Sequence, residues 1–276
     1  MKFEKKSIII NNRNYFYWLK NKNSKNVIIL LHGFPGNHMG LIELADSLGE
    51  DYRVIAPDLP ACGKSDKLLK KHDLKNYADW LKVFLEKLFI DEAIIIGHSF
   101  GSRVALIFCI NYPQKVKKLV LITPVVKRDG MIDYLASLRY KIAKLLPYYL
   151  QKIYLADKSY QYLSAFFVFR SGKKLQKKII ARNIKELKKL DPKIQIQLFD
   201  EFYKMDFTGF GKKIKVKSLI IAGNEDKIAT LESISQMACQ INNTLLKIMK
   251  NAGHLVPIER PLAVSKIIKK WLNNKK

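Results

Sequence analysis

Ser99, Asp226 and His254 are the three residues of this chain whose types, taken together, can make a nucleophile. A serine hydroxyl attacks poorly near neutral pH, so it needs a base to take its proton and an acid to orient that base. Ser99 stands in Gly97-His98-Ser99-Phe100-Gly101, directly after the apolar run Ala93-Ile94-Ile95-Ile96. The run reads as a buried strand and the pentapeptide as a very tight turn with Ser99 at its apex. Phe100 to Asn111 then reads as a helix that ends before Pro113. Glycines flank the serine because such a turn leaves no room for side chains and strains the serine backbone. Asp226 closes Gly223-Asn224-Glu225-Asp226, on the loop leaving the strand-like run Val216 to Ala222; Glu225 competes for the same role. His254 follows another apolar run, Leu245 to Met249, through Ala252-Gly253.

The order serine, acid, histidine differs from the trypsin-like and subtilisin-like orders. With it the chain resembles the α/β-hydrolase superfamily, in its cap-bearing esterase, lipase and C–C hydrolase-like branch. The resemblance covers nearly the whole chain. It is carried by Leu31-His32-Gly33-Phe34-Pro35-Gly36, by Ala56-Pro57-Asp58-Leu59-Pro60-Ala61-Cys62-Gly63-Lys64-Ser65, by the serine turn, and by Gly253-His254 before Pro257 and Glu259-Arg260-Pro261. It implies that the backbone N–H groups of Phe34 and Phe100 form an oxyanion hole, and that neither cofactor nor metal is required. It also offers Asp129 as a rival acid, at a position some members use. His98 is expected to point away from substrate and His32 to hydrogen-bond within its own loop. The chain departs from the family where Gly-x-Gly is replaced by Ala61-Cys62-Gly63, which brings Cys62 toward the pocket mouth, and where Ser102 replaces a second glycine. The implied activity is acyl transfer from a small or medium ester to water. Methyl esters on an acyl carrier protein, C–C bond cleavage and a receptor-like binding role stay open beside it.

The elements that must position these residues alternate between strand and helix. Strands are expected at Ser7 to Ile10, Tyr15 to Leu19, Val27 to Leu31, Arg53 to Ala56 and Lys118 to Thr123, besides those already named. Helices are expected around Met39 to Leu48 and Asn76 to Leu88. This is an α/β pattern: a mostly parallel twisted sheet flanked by helices, opened by an antiparallel pair turning at Asn11-Asn12. Between Pro124 and Gly211 the strand signals stop. Helical patterns run over Met131 to Leu145, Tyr148 to Leu155, Lys158 to Phe169, Lys173 to Lys189 and Lys193 to Tyr203. Residues 127–211 are therefore read as an inserted helical cap, and 1–126 with 212–276 as the hydrolase core. Tyr134, Tyr148, Tyr149, Tyr154, Phe166, Phe167 and Phe169 are its aromatics, available to line an acyl pocket or to pack the cap.

Composition narrows the partners. The chain has 276 residues, 48% of them hydrophobic, which suffices for a sizeable core and excludes disorder. Its formal net charge of +26 invites a nucleic-acid partner, but lysine outnumbers arginine 42 to 8 and no nucleic-acid motif is visible. The three cysteines, Cys62, Cys109 and Cys239, lie far apart and form neither a disulfide framework nor a metal-ligand spacing. The charged N-terminus lacks the apolar core of a signal peptide, and no apolar run reaches the length of a membrane span, so the expected location is cytoplasmic. Residues 127–211 hold 18 Lys and Arg against 8 Asp and Glu, a net of +10, which would suit an acidic acyl carrier protein. Arg128, Arg139, Arg170 and Arg182 are the expected anchors of such docking, as arginines kept in a lysine-rich chain.

Overall fold

The computed structural model describes residues 3–128, 131–159, 162 and 173–274. Strands β1 (Glu4–Ile10) and β2 (Arg13–Lys20) form the expected antiparallel pair. Their turn residues Asn11 and Asn12 sit at φ of +50° and +58°, the left-handed region that asparagine tolerates. Then come β3 (Val27–Leu31), β4 (Arg53–Pro57), β5 (Ala93–His98), β6 (Val116–Ile122), β7 (Ser218–Gly223) and β8 (Thr244–Met249). The eight strands lie in the order β1-β2-β4-β3-β5-β6-β7-β8, and every pairing from β4 to β8 is parallel.

Both faces of β3, β4, β5 and β7 are buried, which is why these runs are apolar at nearly every position rather than at alternate ones. Ile29, Leu31 and Ile95 face one core, completed by α2 (Leu74–Lys87) and α3 (Phe100–Asn111). Ile28, Leu30, Ile94 and Ile96 face the other, completed by α1 (Ile42–Ser47) and by the C-terminal helix over Pro261–Asn273. Removing one such aliphatic side chain from water is worth about 1.5–3 kcal/mol.

The expected helix from Met39 to Leu48 is corrected. A 3₁₀ turn spans His38–Gly40 and the α-helix starts only at Ile42. The Asn37 side chain accepts the Met39 N–H, and the His38 N–H donates to Asp58, so the chain is held in a tighter turn first. Helix α2 begins two residues earlier than expected because the Asp73 carboxylate caps it, accepting the Asn76 N–H at 2.9 Å.

Between β6 and β7 the described residues form helical turns only: α4 (Met131–Leu145), α5 (Tyr148–Leu155), α6 (Lys173–Lys189), α7 (Pro192–Lys204) and a 3₁₀ turn at Phe210–Lys213. Most of the helix expected over Lys158 to Phe169 lies outside the described residues, as do Asp129 and Arg170. After β7 come α8 (Leu231–Ala238), α9 (Val256–Glu259) and α10 (Pro261–Asn273). Helices α8 and α10 are additions to the expected elements, each with a start signal: a Thr230 cap on the Ser233 N–H, and Pro261 in the first turn. Among the described residues no helix is long and apolar enough to cross a membrane.

Several contacts tie the helical segment between β6 and β7 to the sheet, two groups of them through buried side chains. At its roots, Arg103 of α3 is 2% exposed; its Nε donates to the Val125 carbonyl at 2.7 Å and a terminal nitrogen to the Phe202 carbonyl at 3.0 Å. The Phe207 N–H closes the roots on one another through the Val126 carbonyl at 3.0 Å. On the far side, the Glu186 carboxylate of α6 accepts the Gly63 N–H at 2.9 Å and the Asn37 amide at 3.2 Å. One carboxylate thus joins the insertion to two loops of the sheet domain.

Candidate active site

Ser99 is the single residue between β5 and α3, at φ +53° and ψ −114°. A non-glycine residue held there stores about 1–3 kcal/mol. The flanking glycines make the turn possible. A Cβ on Gly97 would sit 2.3 Å from the Gly101 carbonyl oxygen, and one on Gly101 would sit 2.1 Å from that of Leu31. Ser102, a departure from the resembled family, fits without crowding: it is buried, and its hydroxyl donates to the Gly97 carbonyl at 2.7 Å.

The loops after β7 and β8 bring Asp226 and His254 to the same carboxyl edge of the sheet as Ser99, the usual place for sites in such folds. Ser99 Oγ lies 2.8 Å from His254 Nε2, and His254 Nδ1 lies 2.8 Å from Asp226 Oδ2. The second oxygen of Asp226 accepts the N–H groups of Ile228 and Ala229, both at 2.8 Å, which fixes the carboxylate plane. Ser99, Asp226 and His254 are all buried. Glu225 is half-buried, and it is Asp226 whose carboxylate meets the imidazole.

His254 is also held from behind. Its carbonyl accepts from the Thr123 hydroxyl at 3.0 Å and from His98 Nε2 at 3.0 Å. Burial, with the neighbouring His254, pushes the His98 imidazole down to about 3, so it is neutral with its proton on Nε2. Thr123 carries this contact at φ +42°, an outlier for a β-branched residue. Thr123 was invisible as a site residue in the sequence, where it is only the last residue of a strand. His98 shares the cavity wall but is fixed by backbone, not free to meet a ligand.

The N–H groups of Phe34 and Phe100 have no acceptor among the described residues. That of Phe100 is the first of a helix, where no intrahelical acceptor exists. The Phe34 loop is braced by His32, whose Nδ1–H donates to the Gly33 carbonyl at 2.9 Å while Nε2 accepts the Leu59 N–H at 3.0 Å. Burial holds this imidazole neutral as well. Behind it, Asp58 is fully buried and accepts from His38 N–H, the His38 ring and Lys64 N–H at 2.8–2.9 Å. Burial opposes ionisation there, but these hydrogen bonds and the nearby His32 keep the carboxyl below its usual range. Ala61, where the family has glycine, adopts φ +64°. Cys62 does not approach the pocket mouth: it is 6% exposed in the main core, and burial pushes its thiol well above the usual value.

A cavity of about 220 Å³ opens above Ser99 and His254, between the sheet domain and helices α4 to α7. Its aromatic lining is Phe34, Tyr140, Phe199 and Phe202. The cap aromatics expected there do not line it. Tyr134, Tyr148 and Tyr149 face outward, Tyr154 carries the Arg139 guanidinium on its ring, and Phe166, Phe167 and Phe169 lie outside the described residues. Three of the four arginines proposed as docking anchors turn inward instead: Arg128, Arg139 and Arg182 all line the cavity.

Comparisons with known proteins agree with this architecture. The chain matches the alpha/beta hydrolase fold family over residues 26–261. It is 26% identical over 255 residues to an Escherichia coli 2-hydroxy-6-oxononadienedioate/2-hydroxy-6-oxononatrienedioate hydrolase, covering 89% of this chain and 86% of that one. It is 35% identical over 113 residues to an uncharacterized protein of Mycobacterium tuberculosis, of whose length the match spans 33%. Among solved structures, a thermophilic esterase of Thermogutta terrifontis superposes with a TM-score of 0.78 at 21% identity, covering 99% of this chain and 98% of that one. The family match takes in the Phe34 loop, the Ser99 turn, Asp226 and His254, and on that span the chain belongs to the alpha/beta hydrolase fold family.

Proposed function

We propose that the protein is a serine hydrolase that transfers the acyl group of a carboxylic ester to water, with residues 127–211 as the cap over its site. The unbroken hydrogen-bonded chain from Ser99 through His254 to Asp226, opening into a cavity, carries this reading. His254 Nε2 takes the Ser99 proton as Oγ attacks the ester carbonyl, and Asp226 orients the imidazole and compensates its charge. The carbonyl oxygen, now negative, is met by the N–H groups of Phe34 and Phe100. Each such donor is worth about 3–4 kcal/mol of transition-state stabilisation. His254 returns the proton to the leaving alcohol, and the acyl group stays on Oγ. A water then gives a proton to His254 as its oxygen attacks the acyl-enzyme, and His254 passes that proton to Oγ as the acid leaves, restoring Ser99.

The test is a panel of p-nitrophenyl esters of rising chain length, with fluorophosphonate labelling, run on the wild type and Ser99→Ala. Turnover and labelling are expected in the wild type. In the variant labelling disappears and kcat falls on the order of 10⁴-fold or more. Labelling that survives in Ser99→Ala, or a wild type inert toward every ester, would overturn the reading.

A further inference from the structure

The cavity wall is electrically one-sided. Three arginines line it, and among the described residues no aspartate or glutamate does. Besides His254, the histidines on that wall are His32 and His98, which are held neutral by burial and add no charge.

The three arginines are not equivalent. Arg128 is paired with Asp133 at 2.6 Å and lies over the rings of Phe202 and Tyr203. Arg139 donates to the Tyr154 carbonyl and stacks 4.4 Å from that ring centre. Arg182, on α6, is half-buried; its Nε is fully enclosed without a hydrogen-bond partner, and no carboxylate lies within ion-pair distance among the described residues. A terminal nitrogen lies beside Gly40, another lining residue, 3.7 Å from where a Cβ would stand. The carboxylate best placed to neutralise Arg182 is Glu186, one helical turn on. Glu186 is already committed to Gly63, Asn37 and Lys189. Leaving an enclosed guanidinium nitrogen unpaired is costly, and structures usually complete such a group with an acceptor.

We propose that Arg182 anchors a carboxylate carried by the substrate, so that the cavity is built for anionic esters rather than neutral ones. The guanidinium fork matches a carboxylate in a bidentate pair. This inference rests on the reading of the cavity as an ester site. The carboxylate can belong to the acyl part or the alcohol part of the ester, and the two are separable by experiment.

Two matched pairs test it: monoethyl adipate against ethyl hexanoate, and 6-acetoxyhexanoate against hexyl acetate. The wild type is expected to favour the charged member of at least one pair by about 10- to 100-fold in kcat/KM, the size of a hydrogen bond to a charged group. Whichever pair shows the preference says which side of the ester carries the charge. Arg182→Met is expected to erase the preference, mainly through KM, and Arg182→Lys to restore part of it. Binding is measured separately by calorimetry in Ser99→Ala, with and without Arg182→Met, using the same charged and neutral esters. Binding of a charged ester that needs Arg182, in a protein whose wild type cleaves no ester, would sink the acyl-transfer reading and leave the anchor standing. No preference in either pair together with Arg182-independent binding would overturn the anchor, whether or not esters are cleaved.

Discussion

Ser99 occupies backbone geometry that favours glycine, so its chemistry and its strain can be separated by substitution. Ser99→Gly removes the proposed nucleophile and relieves the strain; the fold is expected to gain about 1 kcal/mol after glycine's extra unfolded-state entropy is counted. For a chain of this size that is a rise of about 2 °C in melting temperature. Ser99→Ala, which keeps the strain, is expected to melt with the wild type; a Ser99→Gly protein no more stable than Ser99→Ala would show that the turn is relaxed. Asp226 offers a second separation. An asparagine can keep the two N–H contacts of Ile228 and Ala229, but it turns an amide NH₂ toward His254 Nδ1 and favours the wrong tautomer. Asp226→Asn is expected to lower kcat by about 10⁴-fold while the protein stays folded. Asp129→Asn is expected to leave turnover near the wild type, and the reverse pattern would move the acid to that residue. Sequence named Asp226 with Glu225 as its rival, because adjacent acids on one loop differ only in where the loop turns them. The Asp226 carboxylate folds back on the N–H groups two and three residues ahead, a short-arm geometry that suits aspartate.

At the scale of elements, the turn over Ala61 is the clearest local conflict between residue and backbone. Alanine at φ +64° is strained where glycine is not, so Ala61→Gly is expected to stabilise the fold by about 0.5–1 kcal/mol. Chemical denaturation reads this directly, and a loss of stability would mean that packing of the Ala61 methyl outweighs the strain. The sheet was legible because parallel strands buried on both faces leave long apolar runs, and the Ser99 turn because its glycines fall at fixed spacing. The break at Gly40 was not, since it depends on Asp58 pulling on His38 from 20 residues away. Arg103, Arg182 and Glu186 were hidden for a similar reason. Their surroundings come from distant segments, and on a helix of a chain with 50 Lys and Arg each looks like another solvated charge. One signal was available. Arginine kept against a lysine background did mark special positions, but Arg128, Arg139 and Arg182 mark the inside of the cavity rather than an outer docking face.

The whole molecule carries an acid sensitivity built from histidines it keeps neutral. His32, His72 and His98 are buried, and burial is the first cause that lowers each; His72 is pushed down to about 4 and His98 to about 3. Unfolded, each would titrate near 6.5, so below that pH the unfolded chain binds protons that the folded one refuses, and stability falls as pH drops. At pH 5 the loss is about 2 kcal/mol each for His72 and His98. Thermal melting from pH 7.5 down to 5 is expected to show a steady fall beginning near 6.5, and a flat profile would mean that these imidazoles are protonated in the fold. Asp58, held ionised, adds to the loss only at lower pH, as it protonates. At the same scale, Arg103 has a consequence of another kind. A single side chain from the helix that follows Ser99 grips both the outgoing and the returning root of the proposed cap. Everything between those roots is therefore a cassette. Ancestral exchange of that cassette could redraw the substrate-facing wall, its charge included, without moving Ser99 or His254, so long as the replacement offers two carbonyls to the same guanidinium.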